Sequence, residues 1–470
     1  MNAYDEIAYL TGAFQQTHPD RLAANARLFG LQPAPITQCR VLEIGAGDGT
    51  NLIPMAMTCP NSLFVGFDLA AEPVGRGVEL VHALGLANVR LLQGDILDVD
   101  LGSDPFDYII AHGIYSWVPD VVRAGLMRLV RQRLAPNGVA YVSYNAYPGC
   151  YLRQAIRHDL LHGVRNIDGR TAKVEAAMRR LQAWPDAAPN RGYFENAVSE
   201  EAARLTKHPI NALAHDELSD AYHPVYLKQF AAECADNQLQ VLCEADTPEI
   251  GEWFAPADIG DEASFDVVDR AQQQDFATNR FFRQSLLVGA ETVISRRLNP
   301  AIISTLHVSS VAKRLGDHRF ECDGASFDLL DPVMAGALDH LISIWPSTAP
   351  VASLVADEPR LLALVKLCGL KTVQFHSAPF GVALSDRPVA SPLARLQARR
   401  GHPRLTTLRH NMVDLTDEFS RWFVADLDGS RTRAEIAQDV AEQLNLDPEA
   451  AMTSLDEYLK SLARAPILVG

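Results

Sequence analysis

The chain has 470 residues, a formal net charge of −16, and 48% hydrophobic and 21% charged residues. One hydrophobic core does not organise that length, so about two to four domains are expected; the acidic balance, with no long basic run, argues against nucleic-acid binding, which rests on Lys and Arg neutralising phosphates. The start, Met1-Asn2-Ala3-Tyr4-Asp5-Glu6, lacks a signal region, no apolar run approaches the ~20 residues of a membrane span, and the seven cysteines have neither C-x-x-C spacing nor His partners, so the expectation is a reduced, cytoplasmic protein without a metal site.

In chain order, Gln16-Thr17-His18-Pro19-Asp20 reads as a turn into a helix over Arg21 to Phe29, with Thr17 or His18 near the cap and Gly30 as the stop. An apolar strand then ends at Glu43 and passes through Gly45-Ala46-Gly47-Asp48-Gly49 into a helix from Leu52. Glycines suit such a loop because a Cβ would block the positive-φ turn and the approach of a ligand to the backbone. A dinucleotide loop spells G-x-G-x-x-G and faces a pyrophosphate. Here the spelling is G-x-G-x-G behind a carboxylate, which repels phosphate but suits a cationic amino-acid group such as that of S-adenosylmethionine.

A second strand, Ser62 to Phe67, ends at Asp68, 25 residues after Glu43, where a doubly wound fold places the ribose ligand. The third, Asn88 to Gln93, is followed by Gly94-Asp95-Ile96, with Asp95 placed to accept from an adenine amino group. A fourth strand, Phe106 to Ala111, leads into His112-Gly113-Ile114-Tyr115-Ser116-Trp117-Val118-Pro119. A helix over Asp120 to Leu134, a turn at Ala135-Pro136-Asn137-Gly138 and a fifth strand over Val139 to Tyr144 follow. Strands alternating with helices predict a parallel sheet with its ligand beyond the strands' carboxyl ends, so these residues converge on one rim.

These residues resemble the class I S-adenosylmethionine-dependent methyltransferases. More narrowly, Gln16 to Pro19, His112 to Pro119 and Ser143-Tyr144-Asn145-Ala146-Tyr147-Pro148-Gly149 are similar to the bacterial methyltransferases with a methyltransferase regulatory domain. That family includes protein lysine methyltransferases acting on outer-membrane proteins. His223 to Phe230, Gln238 to Ala245 and Asp275 to Leu287 look like its regulatory signatures, and Ser391 to Arg395 and Leu427 to Thr432 like its tail. The departures are Cys150, where the family usually has an aromatic residue, and the loose Tyr9 to Phe14 stretch. They bear on the acceptor and not on the cofactor. The cofactor expected is S-adenosyl-L-methionine, held by Gln16, Thr17, His18, Glu43, Gly45, Gly47, Asp48, Gly49, Asp68, Leu69, Asp95, Ile96 and His112. Tyr115, Trp117, Tyr144, Asn145 and Tyr147, on the rim after the fourth and fifth strands, are the expected acceptor residues, since aromatic rings hold a lysine stem and cation.

The fold class expected is α/β: a Rossmann-like seven-stranded methyltransferase sheet with a helical insertion, plus a mainly helical C-terminal region of tandem winged-helix-like modules. The expected divisions are 1–150 for the cofactor-binding core, 151–225 for a helical insertion read as a lid or as a structural subdomain, 226–298 for the last strands, and 299–390 and 391–470 for the two modules. A protein lysine acceptor is the first functional reading. A small-molecule methyltransferase and a non-catalytic cofactor-binding regulator are the alternatives. A protein substrate is the expected partner, no nucleic acid or membrane is expected, and a homodimer is left open.

Overall fold

The computed structural model describes residues 11–184, 192–256, 259, 265–445 and 447–469. The readings placed on Tyr9 and Leu10 lie outside the described residues. At the centre is a seven-stranded sheet built from β1 (Arg40–Ile44), β2 (Leu63–Asp68), β3 (Val89–Gln93), β4 (Phe106–Ala111), β5 (Leu134–Asn145), β6 (Leu239–Glu244) and β7 (Phe282–Gly289). Its order is β3-β2-β1-β4-β5-β7-β6. The first five strands are parallel, and β7 runs antiparallel to both β5 and β6. This is the class I methyltransferase sheet, closed by a reversed strand. Leu42, Ile44, Ile109, Ile110, Tyr141 and Val142 are fully buried because helices cover both faces, which is why the inner strands read as continuous apolar runs. Strand order reverses between β1 and β4, so the ligand crevice of such a sheet opens at their carboxyl ends.

The expected turn at Ala135 to Gly138 is held within β5. Pairing jumps from Phe106–Leu134 to Tyr108–Val139, so the extra residues form an irregularity in the ladder. The segment resembling a regulatory domain closes the sheet. Arg283 on β7 sits with no exposure against Glu244 on β6 at 2.6 Å and Asp275 at 2.7 Å, both equally buried.

Helices Cys150–Val164, Arg170–Ala183 and Tyr193–Leu205 form the insertion. Ile156, Leu160, Ala177, Leu181, Ala202 and Leu205 give it an apolar core separate from that of the sheet. The chain returns through a π-helical turn, Leu213–Glu217. Arg153 holds that turn through Glu217 at 2.6 Å and Asp216 at 3.2 Å, and Arg157 donates to the carbonyl oxygens of Asp216, Glu217 and Ser219.

Residues beyond β7 split between two cores. Ile303, Val308, Leu338, Leu364 and Phe375 pack into the core that also contains the sheet, whereas Ala390 through Leu468 form their own. Helix Pro332–Ile344 starts at an Asp331 cap, and Thr432 with Glu435 makes the capping box of helix Arg433–Leu444. Lys371 turns the chain at φ 59° ahead of the short strand Gln374–His376. Near the end of the chain Leu468 makes a single bridge to Ala390. A hairpin of Arg404–Thr406 with Met412–Asp414 was not foreseen.

Candidate active site

The loop from β1 to helix Leu52–Thr58 holds Gly45, Gly47 and Gly49 at φ 72°, 54° and 73°. Its backbone hangs on the tip of β2. Gly45 and Ala46 donate to the Phe67 carbonyl oxygen at 2.9 and 3.0 Å, and Gly47 donates to Asp68 Oδ2 at 2.9 Å. A Cβ on Gly45 would lie 2.3 Å from Ile114 Cδ1, so only glycine fits under the β4 loop. Asp68 Oδ1 accepts from Ala70 N–H at 2.9 Å. Burial raises the Asp68 pKa, while the backbone donors pull it back.

Above this loop is a cavity of about 580 Å³ at the carboxyl ends of β1, β2 and β4. Of the residues expected to hold a cofactor, Glu43, Gly45, Gly47, Asp68, Leu69, Asp95, Ile96 and His112 line it; of those expected at the acceptor, Trp117 does. The other nine expected residues do not. Asp48 accepts from Thr50 and from the Thr11 hydroxyl, shaping the loop, and Gly49 backs onto Leu91 of β3. His18 caps helix Pro19–Leu28 by accepting from Asp20 N–H at 3.2 Å, Gln16 hydrogen-bonds Tyr141, and Thr17 accepts from Asn51 Nδ2 at 3.1 Å.

Tyr115 and Tyr144 are core residues. Tyr115 donates to Glu233, and Tyr144 stacks on Phe230 at 4.1 Å with its hydroxyl against Ser285. Helix Leu227–Asp236 supplies Phe230 and Glu233, and it covers the side of the rim that these rings face. Asn145 is 2% exposed and is tied through its backbone N–H to Ser116 Oγ at 2.8 Å. Tyr147 stacks on Tyr151 at 4.4 Å and donates to Gln154 at 2.6 Å, away from the cavity.

Glu43 is 4% exposed. Its Oε1 accepts from Asn51 Nδ2 at 2.7 Å, and its Oε2 has no protein partner. Burial, aided by the nearby Asp48 and Asp68 charges, pushes its pKa up to about 8 despite the Asn51 hydrogen bond. A buried carboxylate oxygen left without a partner on a cavity wall is a receptor for a cation. His112 contacts the Tyr141 hydroxyl through Nδ1 at 2.9 Å and packs on Phe14 at 4.1 Å; burial lowers its pKa to about 4, so the ring is neutral.

Asn51, His215 and Asp216 were not anticipated, whereas Phe14 ends the stretch read as bearing on the acceptor. Phe14, Asn51, His215 and Asp216 all line the cavity, His215 and Asp216 from the insertion. Burial raises the Asp216 pKa to about 6 against the pull of Arg153. Arg153 also lies over the Trp117 ring at 5.3 Å, joining the insertion to the β4 loop. Among the described residues no cluster of His, Cys, Asp and Glu could hold a metal, and no helix is long and apolar enough to cross a membrane.

Three family descriptions match along the chain: a methyltransferase domain over residues 41–138, a predicted methyltransferase regulatory domain over 209–289, and the C-terminal winged-helix domain of PKMT over 386–457. The chain belongs to the class I S-adenosylmethionine-dependent methyltransferases. Within that class it falls in the branch that joins the regulatory domain to a PKMT winged helix. Two uncharacterised proteins of Rickettsia prowazekii are relatives. One is 33% identical over 63% of this chain and 54% of its own length, and the other 31% identical over 51% of this chain and 96% of its own length. The chain thus spans about half the length of the former. The structure of PKMT2 from Rickettsia typhi superposes with a TM-score of 0.84 at 22% identity, over 98% of this chain and 100% of that one. PKMT2 in complex with AdoHcy gives 0.83 at 23% identity over the same shares.

Proposed function

We propose that this protein transfers a methyl group from S-adenosylmethionine to lysine side chains of a protein substrate, in a cytosolic setting that suits its seven buried thiols. The observation that carries the cofactor reading is the partnerless Glu43 Oε2, buried on the wall of a cavity whose glycine loop leaves no Cβ between backbone and ligand. The residues fit the group. Glu43 would hold its ammonium, Asp68 its ribose hydroxyls, and Asp95 with Ile96 its adenine.

Bound there, the cofactor supplies an electrophilic methyl group on sulfur. The protein must align the acceptor lone pair and exclude water, which needs no metal. Trp117, Val122, His215 and Asp216 form the other wall and would receive the acceptor. A lysine, with pKa about 10.4, arrives as an ammonium; the Asp216 carboxylate attracts it, and the apolar wall disfavours its charged form as water leaves. The support for a protein acceptor is the PKMT winged-helix match and the whole-chain fold shared with PKMT2.

Calorimetric titration with S-adenosylmethionine and, separately, NAD tests the cofactor reading. The expected result is binding of the first alone, weakened at least about tenfold in Glu43→Gln by loss of a charge-assisted hydrogen bond. NAD binding, or an unchanged affinity in the variant, would overturn it.

A further inference from the structure

A side chain of the C-terminal winged-helix region reaches the wall of the cofactor cavity through a hydrogen bond to Asn51. The turn of the hairpin Arg404–Thr406/Met412–Asp414 carries His410, 3% exposed and held at φ 57°. His410 Nε2 lies 2.8 Å from Asn51 Oδ1, across a sequence separation of 359 residues. Asn51 Nδ2 in turn donates to Glu43 Oε1 at 2.7 Å.

The donors and acceptors around Asn51 close without a remainder. Its Oδ1 accepts from Phe14 N–H at 2.9 Å and from His410, while its Nδ2 donates to Glu43 and to Thr17 Oγ1 at 3.1 Å. The Thr17 hydroxyl then donates to the Phe14 carbonyl oxygen at 2.8 Å. This pattern fixes the Asn51 amide one way round and makes His410 Nε2 a proton donor. With the amide reversed, an NH₂ would face the Phe14 and His410 donors, and the amide oxygen would face the Glu43 carboxylate.

The turn itself is pinned. Arg409 Nη2 donates to Ser309 Oγ at 2.8 Å and to His376 Nε2 at 2.8 Å, and His376 Nδ1 donates to Asp20 at 2.6 Å. Leu408 N–H is bonded to the Pro466 carbonyl oxygen at 2.8 Å, which ties the turn to the end of the winged-helix core.

We infer that His410 is a positioning residue for the cofactor: through Asn51 it aims the free oxygen of Glu43, so seating of the winged-helix region sets the affinity of the methyltransferase site. This rests on Glu43 receiving the cofactor ammonium. The hydrogen-bond chain runs from His410 through Asn51 to Glu43, and the last two line the cofactor cavity.

The test is calorimetric binding of S-adenosylmethionine to the full chain as wild type, His410→Ala and His410→Gln, each also in a Glu43→Gln background. His410→Ala is expected to weaken binding about three- to tenfold, the effect of one hydrogen bond. The His410→Gln amide donor should restore most of it, and the loss should shrink below about twofold once Glu43 no longer carries the charge. Unchanged affinity in a folded His410→Ala chain, or an equal loss in both backgrounds, would overturn the coupling. A wild type that fails to bind overturns the reading of the site itself.

If His410→Ala does not fold, wild-type protein labelled with ¹⁵N-histidine replaces it. Its His410 Nε2–H resonance, assigned by its disappearance in His410→Gln, should shift on cofactor addition. An unmoved resonance contradicts the inference.

Discussion

At the scale of single residues, the most informative group is the half-satisfied Glu43 carboxyl. With its pKa raised to about 8 in the free protein, it binds a proton at neutral pH that a bound ammonium would displace. Affinity for S-adenosylmethionine should therefore rise as pH increases from 6 to 8, with proton release seen by calorimetry in buffers of different ionisation enthalpy. Glu43→Gln should remove both effects. Linkage gives the second sign: the native state holds this proton between the unfolded pKa near 4.5 and the folded value near 8, so its contribution to stability falls as pH rises through that window. At pH 7 the ligand-free Glu43→Gln chain should be more stable by on the order of 3 kcal/mol, measured by urea unfolding. The acids at the strand tips were readable because each closes an apolar run before a glycine or turn. Tyr115 and Tyr144 were misjudged because the sequence shows that an aromatic residue follows a strand, but not that Phe230 arrives from a later helix to cover it. Asn51 was missed because a single amide in a first helical turn looks like a cap. Its partners lie on remote segments.

At the scale of elements, the order of strands and helices through β5 was legible because short continuous apolar runs alternate with helical patterns, with glycine or proline turns between them. The reversed β7 was legible only through family resemblance. What holds it is the buried Arg283 with Glu244 and Asp275. Removing either carboxylate leaves buried Arg283 N–H donors unsatisfied although the other carboxylate still balances the charge, so Glu244→Ala or Asp275→Ala should cost about 2–3 kcal/mol in denaturant unfolding. The insertion has a similar anchor in Arg153, placed between Glu217, Asp216 and Trp117. Arg153→Ala should loosen the Leu213–Glu217 turn, raise the acceptor KM more than it changes cofactor affinity, and speed amide exchange in that turn. Asp216 and His215 escaped sequence reasoning because they reach the cavity about a hundred residues after the β4 loop they face, through a packed insertion whose direction no local pattern encodes.

At the scale of the whole molecule, the C-terminal region is held against the methyltransferase sheet by neutral, buried imidazoles. Burial lowers the pKa of His18 to about 4 and of His376 to about 3, and takes His410 well below its ordinary value. Groups whose folded pKa is depressed in this way stay unprotonated while the unfolded chain takes up protons. Stability is therefore lost as pH falls from about 6.5 toward those values, at up to about 1.4 kcal/mol per pH unit for each group. His112 adds to this, and the buried carboxyls whose pKa is raised, Glu43, Asp216 and Glu249, oppose it above their unfolded pKa. The unfolding midpoint should drop between pH 7 and pH 5, and the His410→Gln chain should lose less over that interval. The capping residues and helix order of the tail were legible. Its docking onto helix Pro19–Leu28 through His376 and Asp20, and onto Asn51 through His410, was not, because a lone histidine in a short hairpin carries no sign of what it will meet.

The most direct test of the central claim is to incubate the protein with methyl-labelled S-adenosylmethionine and an extract of bacterial envelope and cytosolic proteins, then hydrolyse the labelled proteins to amino acids. The account predicts label in N-methyllysine, lost with Glu43→Gln and reduced with Asp216→Asn. Label confined to small molecules, or to protein side chains other than lysine, would contradict it.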